Sequence, residues 1–236
     1  FYIAENAESL PVYAIGFGIS ESLDEEDPKH VAISAILSLL GQRDQPLYRA
    51  LVSSGLAMDF SLSFLPLCPG QGLVSLHVLG AKEEQIPEIR AAVTSALEEQ
   101  LSLGLDKELL VSILDSEELS EKKWPVSNDP YGVDEANAVM KYWASGYSLA
   151  NAYKEKTYCA QLREKLDSCY FEQLCREVLL DNQYQVSYYL RPSLSLAEEK
   201  RQTLEQSIQS RFSVLSDEVK SKLREEYKTE LSSKRS

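Results

Sequence analysis

The chain has 236 residues, of which 44% are hydrophobic and 26% are charged, and its formal net charge is −13. This composition is that of a globular protein with one large domain, or one domain and an appendage. Binding to nucleic acid or to an anionic membrane surface needs positive charge, so the net charge argues against both and favours a basic partner. No apolar run approaches the ~18 residues of a membrane helix.

The cysteines and the first residues bear on the cellular compartment of the protein and on whether the chain is a segment of a longer protein. The four cysteines form no C-x-x-C pair, and they are Cys68, Cys159, Cys169 and Cys175. So few in a chain of this length predict free thiols in a reducing compartment. The start FYIAENAESL lacks the basic region of a targeting segment. Because the chain begins at Phe1 rather than Met, we expect a segment of a longer protein, located in bacterial cytoplasm or an organelle matrix.

The first predicted elements are a strand, a helix and a second short helix. Residues 11–20 are typical of a strand, and glycine inside a strand marks a close backbone approach or a bulge. After an acidic loop, Asp27-Pro28 begins a helix that is apolar nearly all round and is therefore buried, with Gly41 at its end. The next helix, PLYRALVSSGLA, is closed by Gly55.

A hairpin and two paired helices follow. Residues 59–66 and 72–80 are predicted strands joined by a Pro-Gly turn. The pattern then becomes helical, with Gly104 ending one helix and Asp106 capping the next, which runs towards Trp124-Pro125. The apolar stripe of the first of these helices consists of Ile86, Ile89, Val93, Leu97 and Leu101.

Two more helices and a strand complete the first 192 residues. A third helix carries Val139, Met140 and Trp143. A fourth is predicted as one continuous helix with apolar residues four apart, namely Leu162, Leu166, Tyr170, Leu174 and Val178. The last strand, QYQVSYYLRP, is closed by Pro192. We interpret Trp124, Trp143 and the Tyr188-Tyr189 pair as core and sheet residues.

The tail differs in charge from the rest of the chain. Residues 193–236 hold nine basic and eight acidic residues, whereas residues 1–192 have a net charge of −14. Ser216 separates two helical seams, and the mixed-charge pattern predicts a helical hairpin that packs on another body or links two bodies. The seams contain Leu204, Ile208 and Phe212 and then Val219, Leu223, Tyr227 and Leu231.

The order of elements predicts an α+β fold, a two-layer sandwich in which helices cover one face of a mostly antiparallel sheet, followed by the helical hairpin. The predicted domains are residues 1–192 and residues 193–236.

No catalytic motif is visible. A zinc site needs several His, Cys or carboxylate ligands, and neither His30 nor His77 has a partner at H-E-x-x-H or H-x-x-E-H spacing. We interpret both as packed or capping histidines. No G-x-S-x-G occurs, and G-F-G-I-S does not open a helix, which argues against nucleotide binding. A Cys-His pair that meets only in space stays open. We therefore assign no catalytic, cofactor-binding or metal residue to this chain.

The acidic cluster before the first helix fits no EF-hand. It contains Glu21, Asp24, Glu25, Glu26 and Asp27. We interpret it as a solvated loop, and as a second hypothesis it adds to a negative wall that attracts basic peptides. Neutralising Glu25, Glu26 and Asp27 would then weaken the binding of basic peptides at low salt.

Several segments, in order and spacing, resemble the pitrilysin/insulinase-type zinc metallopeptidases, and in particular the presequence-protease-like branch. QPLYRALVSSGLA is similar to the family's S-P-L-x-x-x-L-x-x-x-G-L-G, with Gln45 and Ala57 departing from it. VSLHVLGAKEEQIPEIRAAVTSALEEQLSLGLDKELLVSILDSEEL resembles its strand, G-x-x-x-E-x-I turn and long paired helices. MKYWASGYSLANAYKEK resembles its W-x-x-x-x-x-P region. QVSYYLRPS with the tail resembles the end of the second half-domain and the start of the linker.

The resemblance implies a role within a larger enzyme. In that family the first half-domain carries zinc and the general base, while the second keeps the fold without the motif. This chain resembles the second, so zinc belongs to the parent enzyme and not to this chain, which alone is predicted inactive. The implied partners are the catalytic half-domain of the same polypeptide and a peptide substrate, and an acidic wall would favour basic peptides.

Two other functions are compatible with the sequence. The parent can be a non-enzymatic scaffold or peptide-binding module of the same fold, which has lost its zinc motif. The chain can also be an unrelated protein-binding domain whose tail is a coiled-coil arm, in which case residues 193–236 would mediate self-association. We also expect an exposed apolar face where another half-domain packs.

Overall fold

The computed structural model describes residues 2–3, 9–19, 28–68, 71–122, 131–144 and 157–233. The contacts divide the chain into two compact units. One comprises Leu10–Leu190, and the other combines Phe1–Ser9 with Arg191–Ser236. The acidic cluster before the first helix and Trp124 lie outside the described residues.

The larger unit contains a four-stranded antiparallel sheet. Its strands are β2 (Val12–Ile19), β3 (Asp59–Cys68), β4 (Gln71–Leu79) and β5 (Gln185–Leu190), in the spatial order β3-β4-β2-β5. The predicted hairpin of β3 and β4 is confirmed, with a register shift between Pro66 and Cys68. The predicted strand over residues 11–20 is confirmed as β2.

One face of this sheet forms the floor of the hydrophobic core. Successive side chains of a strand point to opposite faces, so Tyr13, Ile15 and Phe17 lie on the same face, each opposite a buried residue of β4. Those partners are Val78, Leu76 and Val74, each no more than 1% exposed.

Among the described residues, six helical elements supply buried side chains to the core. They are α1 (Lys29–Leu40), α2 (Pro46–Tyr48, which continues as a π-helical turn over Arg49–Ser53), α3 (Ile86–Leu103), α4 (Lys107–Lys122), α6 (Tyr158–Glu164) and α7 (Tyr170–Cys175). Helix α1 is buried along most of its length, as its apolar sequence predicts. Gly55, with φ of +80°, ends the α2 segment in a backbone conformation that favours glycine.

The boundary between α3 and α4 is also confirmed. Gly104 has φ of +81° just after α3, and the Asp106 carboxylate accepts hydrogen bonds from the backbone N–H groups of Glu108 (2.9 Å) and Leu109 (3.1 Å). This is the geometry of an N-cap. The middle of the predicted apolar stripe, Ile89, Val93 and Leu97, is buried.

The predicted single helix through residues 162–178 is wrong. The chain forms α6, a series of turns, and then α7 (Tyr170–Cys175), which continues as a π-helical turn over Arg176–Leu180. Between the helices, backbone N–H groups donate to carbonyl oxygens three residues earlier in the chain. The Ser168 hydroxyl also donates to the Lys165 carbonyl oxygen at 2.6 Å. Serine side chains compete in this way with helical hydrogen bonds. The apolar spacing is nevertheless correct, because Leu162, Leu174 and Val178 are buried.

Helix α5 (Tyr131–Ala144) forms where the third helix is predicted, but Trp143 is not a core residue. Its side chain is 61% exposed, and Val133 and Met140 on the same helix are 55% and 53% exposed. These positions lie on one helical face, so α5 presents an apolar stripe to solvent. An amphipathic pattern shows which residues share a face, but it does not show whether that face is covered.

The smaller unit is built from both ends of the chain. Strand β1 (Tyr2–Ile3) pairs in parallel with β6 (Pro192–Ser193), a pairing that the sequence did not predict. Helices α8 (Leu196–Ser213) and α9 (Asp217–Ser233) follow. Both predicted tail helices are present, yet their apolar seams are open to solvent, with Leu204 61% and Leu223 44% exposed.

Among the described residues, no helix is both long and apolar enough to cross a membrane.

Candidate functional site

The second face of the sheet carries exposed apolar side chains on both of its edge strands. Leu65 on β3 is 54% exposed, and Val186 and Tyr188 on β5 are 60% and 45% exposed. Register places these residues on the face opposite the core, because Gly16 pairs with Val186 and Ala14 with Tyr188. Exposed apolar side chains therefore occur on this face, while the packing of another half-domain on it stays a prediction.

Two glycines in β2 leave space on this face that side chains of the neighbouring strands approach. A Cβ atom at Gly16 would stand 3.2 Å from Val186 Cγ1 and 3.2 Å from Leu73 Cδ1. A Cβ atom at Gly18 would stand 3.4 Å from Tyr184 Cβ. The predicted close backbone approach or bulge is not found at these glycines, because the nearest atoms belong to side chains and the register of β2 with both neighbours is regular.

Some backbone groups of β5 point towards an edge that has no partner strand among the described residues. The Gly18 N–H donates to the Tyr184 carbonyl oxygen at 2.8 Å, which fixes the alternation of hydrogen bonds between β2 and β5. In an antiparallel ladder, the backbone groups of every second residue point away from the partner strand. On β5 these include Gln185 and Ser187, and no described strand pairs with that side.

An open cleft of about 340 Å³ lies where β5 begins. The Asn182 side chain shapes it, since its amide donates to the carbonyl oxygens of Gly18 (2.9 Å) and Val178 (3.0 Å) and its oxygen accepts from the Tyr184 N–H at 2.8 Å. Each polar atom of this amide has a hydrogen-bond partner, so the Asn182 side chain links Gly18 on β2 to Val178 and Tyr184. The cleft is lined by Gly18, Ile19, Glu177, Val178, Asp181, Asn182, Gln183 and Tyr184.

The cleft is electrostatically negative. Glu177 and Asp181 are exposed carboxylates on its rim, and Glu177 forms an ion pair with Lys29 at 3.0 Å. No ion pair of Asp181 occurs among the described residues. Asp181 immediately follows the helical segment that ends at Leu180, and the carbonyl groups at a helix C-terminus attract cations. The sequence did not predict this cleft, because the contact between Asn182 and Gly18 joins segments that are far apart in the chain.

The two histidines lie apart. The His30 ring on α1 packs edge-on against Tyr158, with centroids 5.0 Å apart, on the covered side of the sheet. His77 on β4 pairs with Ala14 and Ser61, and is therefore on the opposite face. Within the described residues, no three His, Cys, Asp or Glu side chains form a group that could hold a metal ion. The described residues of this chain therefore do not fit zinc.

The structure argues against Cys175 as a nucleophile. Cys159, Cys169 and Cys175 form no disulfide, and the first and last of these are buried. Burial raises the pKa of Cys175 to about 12, and the nearby Glu172 carboxylate contributes to this shift. A thiol with this pKa stays protonated at neutral pH and is a poor nucleophile.

Comparison of the sequence with known proteins gives two curated relatives, although no family model matches. The chain is 26% identical over 217 residues to the mitochondrial presequence protease of Schizosaccharomyces pombe, covering 88% of this chain and 22% of the relative. It is 24% identical over 208 residues to Protein HypA of Clostridium perfringens, covering 87% of this chain and 21% of the relative. The chain thus spans about a fifth of the length of these relatives.

Solved structures share the fold. The ferredoxin protease FusC, solved in complex with Arabidopsis ferredoxin, gives a TM-score of 0.59 at 10% identity, over 81% of this chain and 20% of that one. A chain described as the inactive peptidase domain of a zinc protease from Bordetella parapertussis gives 0.56 at 17% identity, over 80% of this chain and 95% of that one. The periplasmic protease PqqL from Escherichia coli also gives 0.56, at 13% identity, over 81% of this chain and 20% of that one.

The fold is therefore the α+β sandwich of zinc-protease domains, as the order of elements predicted. The sequence is similar to a presequence protease, and the fold is that of zinc-protease domains, which agrees with the resemblance to pitrilysin/insulinase-type metallopeptidases.

Proposed function

We propose that this chain is the non-catalytic half-domain of a longer zinc metallopeptidase that degrades unfolded peptides, such as presequences, inside a closed chamber. The open face of the sheet would form part of the chamber wall. The observation that carries the proposal is the one-sided sheet, with a packed core on one face and exposed apolar side chains on the edge strands of the other. Similarity to a presequence protease along 88% of the chain supports the same role.

Zinc chemistry would belong to another part of the longer protein. A bound zinc ion activates water for peptide hydrolysis, but His30 and His77 lie on opposite sides of the sheet and have no described metal-binding group around them. This chain alone would therefore hold no stoichiometric zinc and hydrolyse no peptide. Its partners would be the catalytic half-domain of the same polypeptide and the peptide substrate.

The tail would form the start of a linker between two halves of the longer protein. We place the domain boundary at Pro192, and the division of contacts between Leu190 and Arg191 supports a boundary in this region. The exposed seams of α8 and α9 support a role in contacting another body. The compartment we propose is bacterial cytoplasm or an organelle matrix, since the S. pombe relative is mitochondrial.

A second candidate is a scaffold of the same fold that binds peptides without cleaving them. The similarity to a Bordetella parapertussis chain described as an inactive peptidase domain supports this second candidate. It differs from the first proposal in one property, because the longer protein would bind peptide but would hold no catalytic zinc.

The test is a measurement of zinc content and peptide hydrolysis on two samples, the longer protein and the isolated 236-residue chain. We expect the longer protein to cleave a presequence peptide, to lose this activity with a chelator and to regain it with zinc, while the isolated chain does neither. Peptide binding by the longer protein without cleavage would favour the scaffold. Stoichiometric zinc in the isolated chain would contradict our assignment of the site.

A further inference from the structure

Two features of the open face meet at Tyr184. This residue lines the acidic cleft, and it stands immediately before β5, whose outer edge has no described partner strand. Because Tyr184 adjoins both features, a long side chain of a ligand paired with the start of β5 would lie near the cleft.

We propose that this cleft binds a lysine or arginine side chain of an extended, otherwise apolar peptide whose backbone pairs with the outer edge of β5. The occupant, an unfolded peptide, is taken from the proposed function, and the proposal adds where on this half-domain it binds and which side chain selects it.

The charges around the cleft favour a cation. Asp181 has no ion pair among the described residues, Glu177 keeps its second carboxylate oxygen beyond its contact with Lys29, and the helix C-terminus ahead of Asp181 adds partial negative charge. With the Lys29 ammonium counted, the two carboxylates still leave a net negative charge. A hydrogen bond between two charged groups at a partly enclosed rim is stronger than a hydrogen bond between neutral groups.

The edge strand supplies the remaining contacts. Addition of an extended peptide to a sheet edge uses backbone hydrogen bonds for affinity and alternate side-chain positions for specificity. The outward backbone groups of Gln185 and Ser187 provide the hydrogen bonds, and the exposed side chains of Val186 and Tyr188 provide an apolar surface. Exposed apolar edge strands are surfaces on which another chain pairs.

A second charge sets the position of the basic residue along the strand. The Arg90 guanidinium lies 3.4 Å from the Ser187 hydroxyl, near the middle of β5. This positive charge disfavours a peptide lysine at the centre of the strand. The preferred position is therefore at the Tyr184 end, where the cleft opens.

The experiment measures binding to the 236-residue chain by fluorescence anisotropy, without zinc and without hydrolysis. The probe is a short fluorescein-labelled peptide of alternating valine and threonine with a single lysine, and its partner peptide has norleucine in place of lysine. We expect Asp181→Asn to weaken binding of the lysine peptide about tenfold, the size of one charge-assisted hydrogen bond. The norleucine peptide should bind the native chain about tenfold more weakly than the lysine peptide does. The Asp181→Asn chain should bind both peptides with the same affinity.

The matched control for charge is Glu84→Gln. Glu84 is an exposed carboxylate that follows the opposite end of β4, away from the cleft. The Glu84→Gln variant should bind both peptides with the same affinities as the native chain. An equal loss from Glu84→Gln and Asp181→Asn would overturn the proposal, because it would show only a general attraction to a chain of net charge −13.

Backbone pairing is tested from both sides. Ser187→Pro removes an outward N–H from β5, a change that edge strands tolerate, and should abolish binding of the lysine peptide. N-methylation of alternate peptide residues tests the same contact on the native chain, so the test does not depend on the variant folding. Methyl groups on one set of alternate residues should abolish binding, and those on the other set should not. Equal effects of both sets would overturn the pairing with β5.

Failure of this proposal is separate from failure of the proposed function. If the isolated chain does not discriminate lysine from norleucine while the longer protein cleaves peptides with zinc, the cleft proposal is wrong and the peptidase assignment stands. If the longer protein shows no zinc-dependent hydrolysis, the proposed function fails, whatever Asp181→Asn does to binding.

Discussion

Val186 on the edge strand closes over Gly16 on the strand beside it. Its Cγ1 atom lies 3.2 Å from the position that a Cβ atom would occupy at Gly16, and Leu73 approaches the same position from β4. Contacts of 3.2 Å are tighter than most Cβ contacts, so a side chain at position 16 would require Val186 and Leu73 to shift by a few tenths of an ångström. The glycine thus lets side chains from both neighbouring strands meet above β2 on the open face.

Gly16→Val should destabilise the protein. We expect a loss of about 1–3 kcal/mol in the free energy of unfolding, the usual cost of overpacking, measured by urea denaturation. Val186→Ala removes one of the two close neighbours, so the double variant should recover part of this loss. Equal losses with and without Val186→Ala would show that Val186 does not restrict the space at Gly16.

Packing between α4 and α6 should contribute more stability than the ion pairs beside it. Leu162 and Leu114 are fully buried, and Leu162→Ala is expected to cost about 2–5 kcal/mol. The neighbouring Arg163 donates to Asp115 and Glu118, each at 2.6 Å, and these contacts raise its pKa. Because these groups remain partly exposed, Arg163→Gln should cost no more than about 1 kcal/mol. Urea denaturation of both variants gives the comparison.

The cysteines should differ sharply in reactivity. In a Cys68→Ser background, a thiol reagent at mildly alkaline pH should modify Cys169, which is exposed, and should leave Cys159 and Cys175 unmodified until the protein unfolds. Mass spectrometry of the digested protein identifies the modified residue. Rapid modification of Cys175 in the folded protein would contradict its burial.

The raised pKa of Cys175 also predicts a pH dependence of stability. The folded-state pKa of about 12 lies above the ordinary value of 9.0, so the unfolded chain loses this proton first as the pH rises. The stabilising contribution is complete below pH 9 and is lost between pH 9 and about 12. Cys175→Ala should remove this part of the alkaline decline. The measurement is the difference in unfolding free energy between the two proteins across that range.

The exposed tail seams distinguish a linker from a self-associating arm. Leu204 and Ile208 are 61% and 55% exposed, so replacing both with Gln should change the unfolding free energy by no more than about 0.5 kcal/mol per site. If the tail is a coiled-coil arm, the native chain would sediment as an oligomer and this variant as a monomer. A native chain whose mass in sedimentation does not depend on the tail would argue against that alternative.

Local sequence patterns were sufficient to predict most of the architecture. Glycine at positions 55 and 104, the Asp106 cap and the alternating apolar residues of β2 each act within a few residues, so their outcome depends little on the rest of the chain. The interruption between α6 and α7 was not predicted because Leu166 and Tyr170 keep the apolar spacing through it. Side-chain hydrogen bonds at Ser168 compete with the helix without changing that spacing.

Features that depend on distant segments could not be predicted. The cleft joins Gly18 to Asp181 and Asn182 through a hydrogen bond across 164 positions, and no local pattern indicates such a contact. The exposure of Trp143 is of the same kind, because a helix shows its apolar face in its sequence while the presence of a covering element is a tertiary property. The pairing of Tyr2–Ile3 with Pro192–Ser193 likewise joins segments 190 positions apart.

That pairing has a consequence for the order in which the chain folds during synthesis. Strand β1 leaves the ribosome first, whereas its partner β6 is made only after every strand of the larger unit. Domains generally fold as units as they emerge. Residues Leu10–Leu190 can therefore reach their native contacts while Tyr2–Ile3 still waits for its partner. Until β6 is made, β1 lacks its described partner strand, and a stall in translation before Pro192 would leave it so.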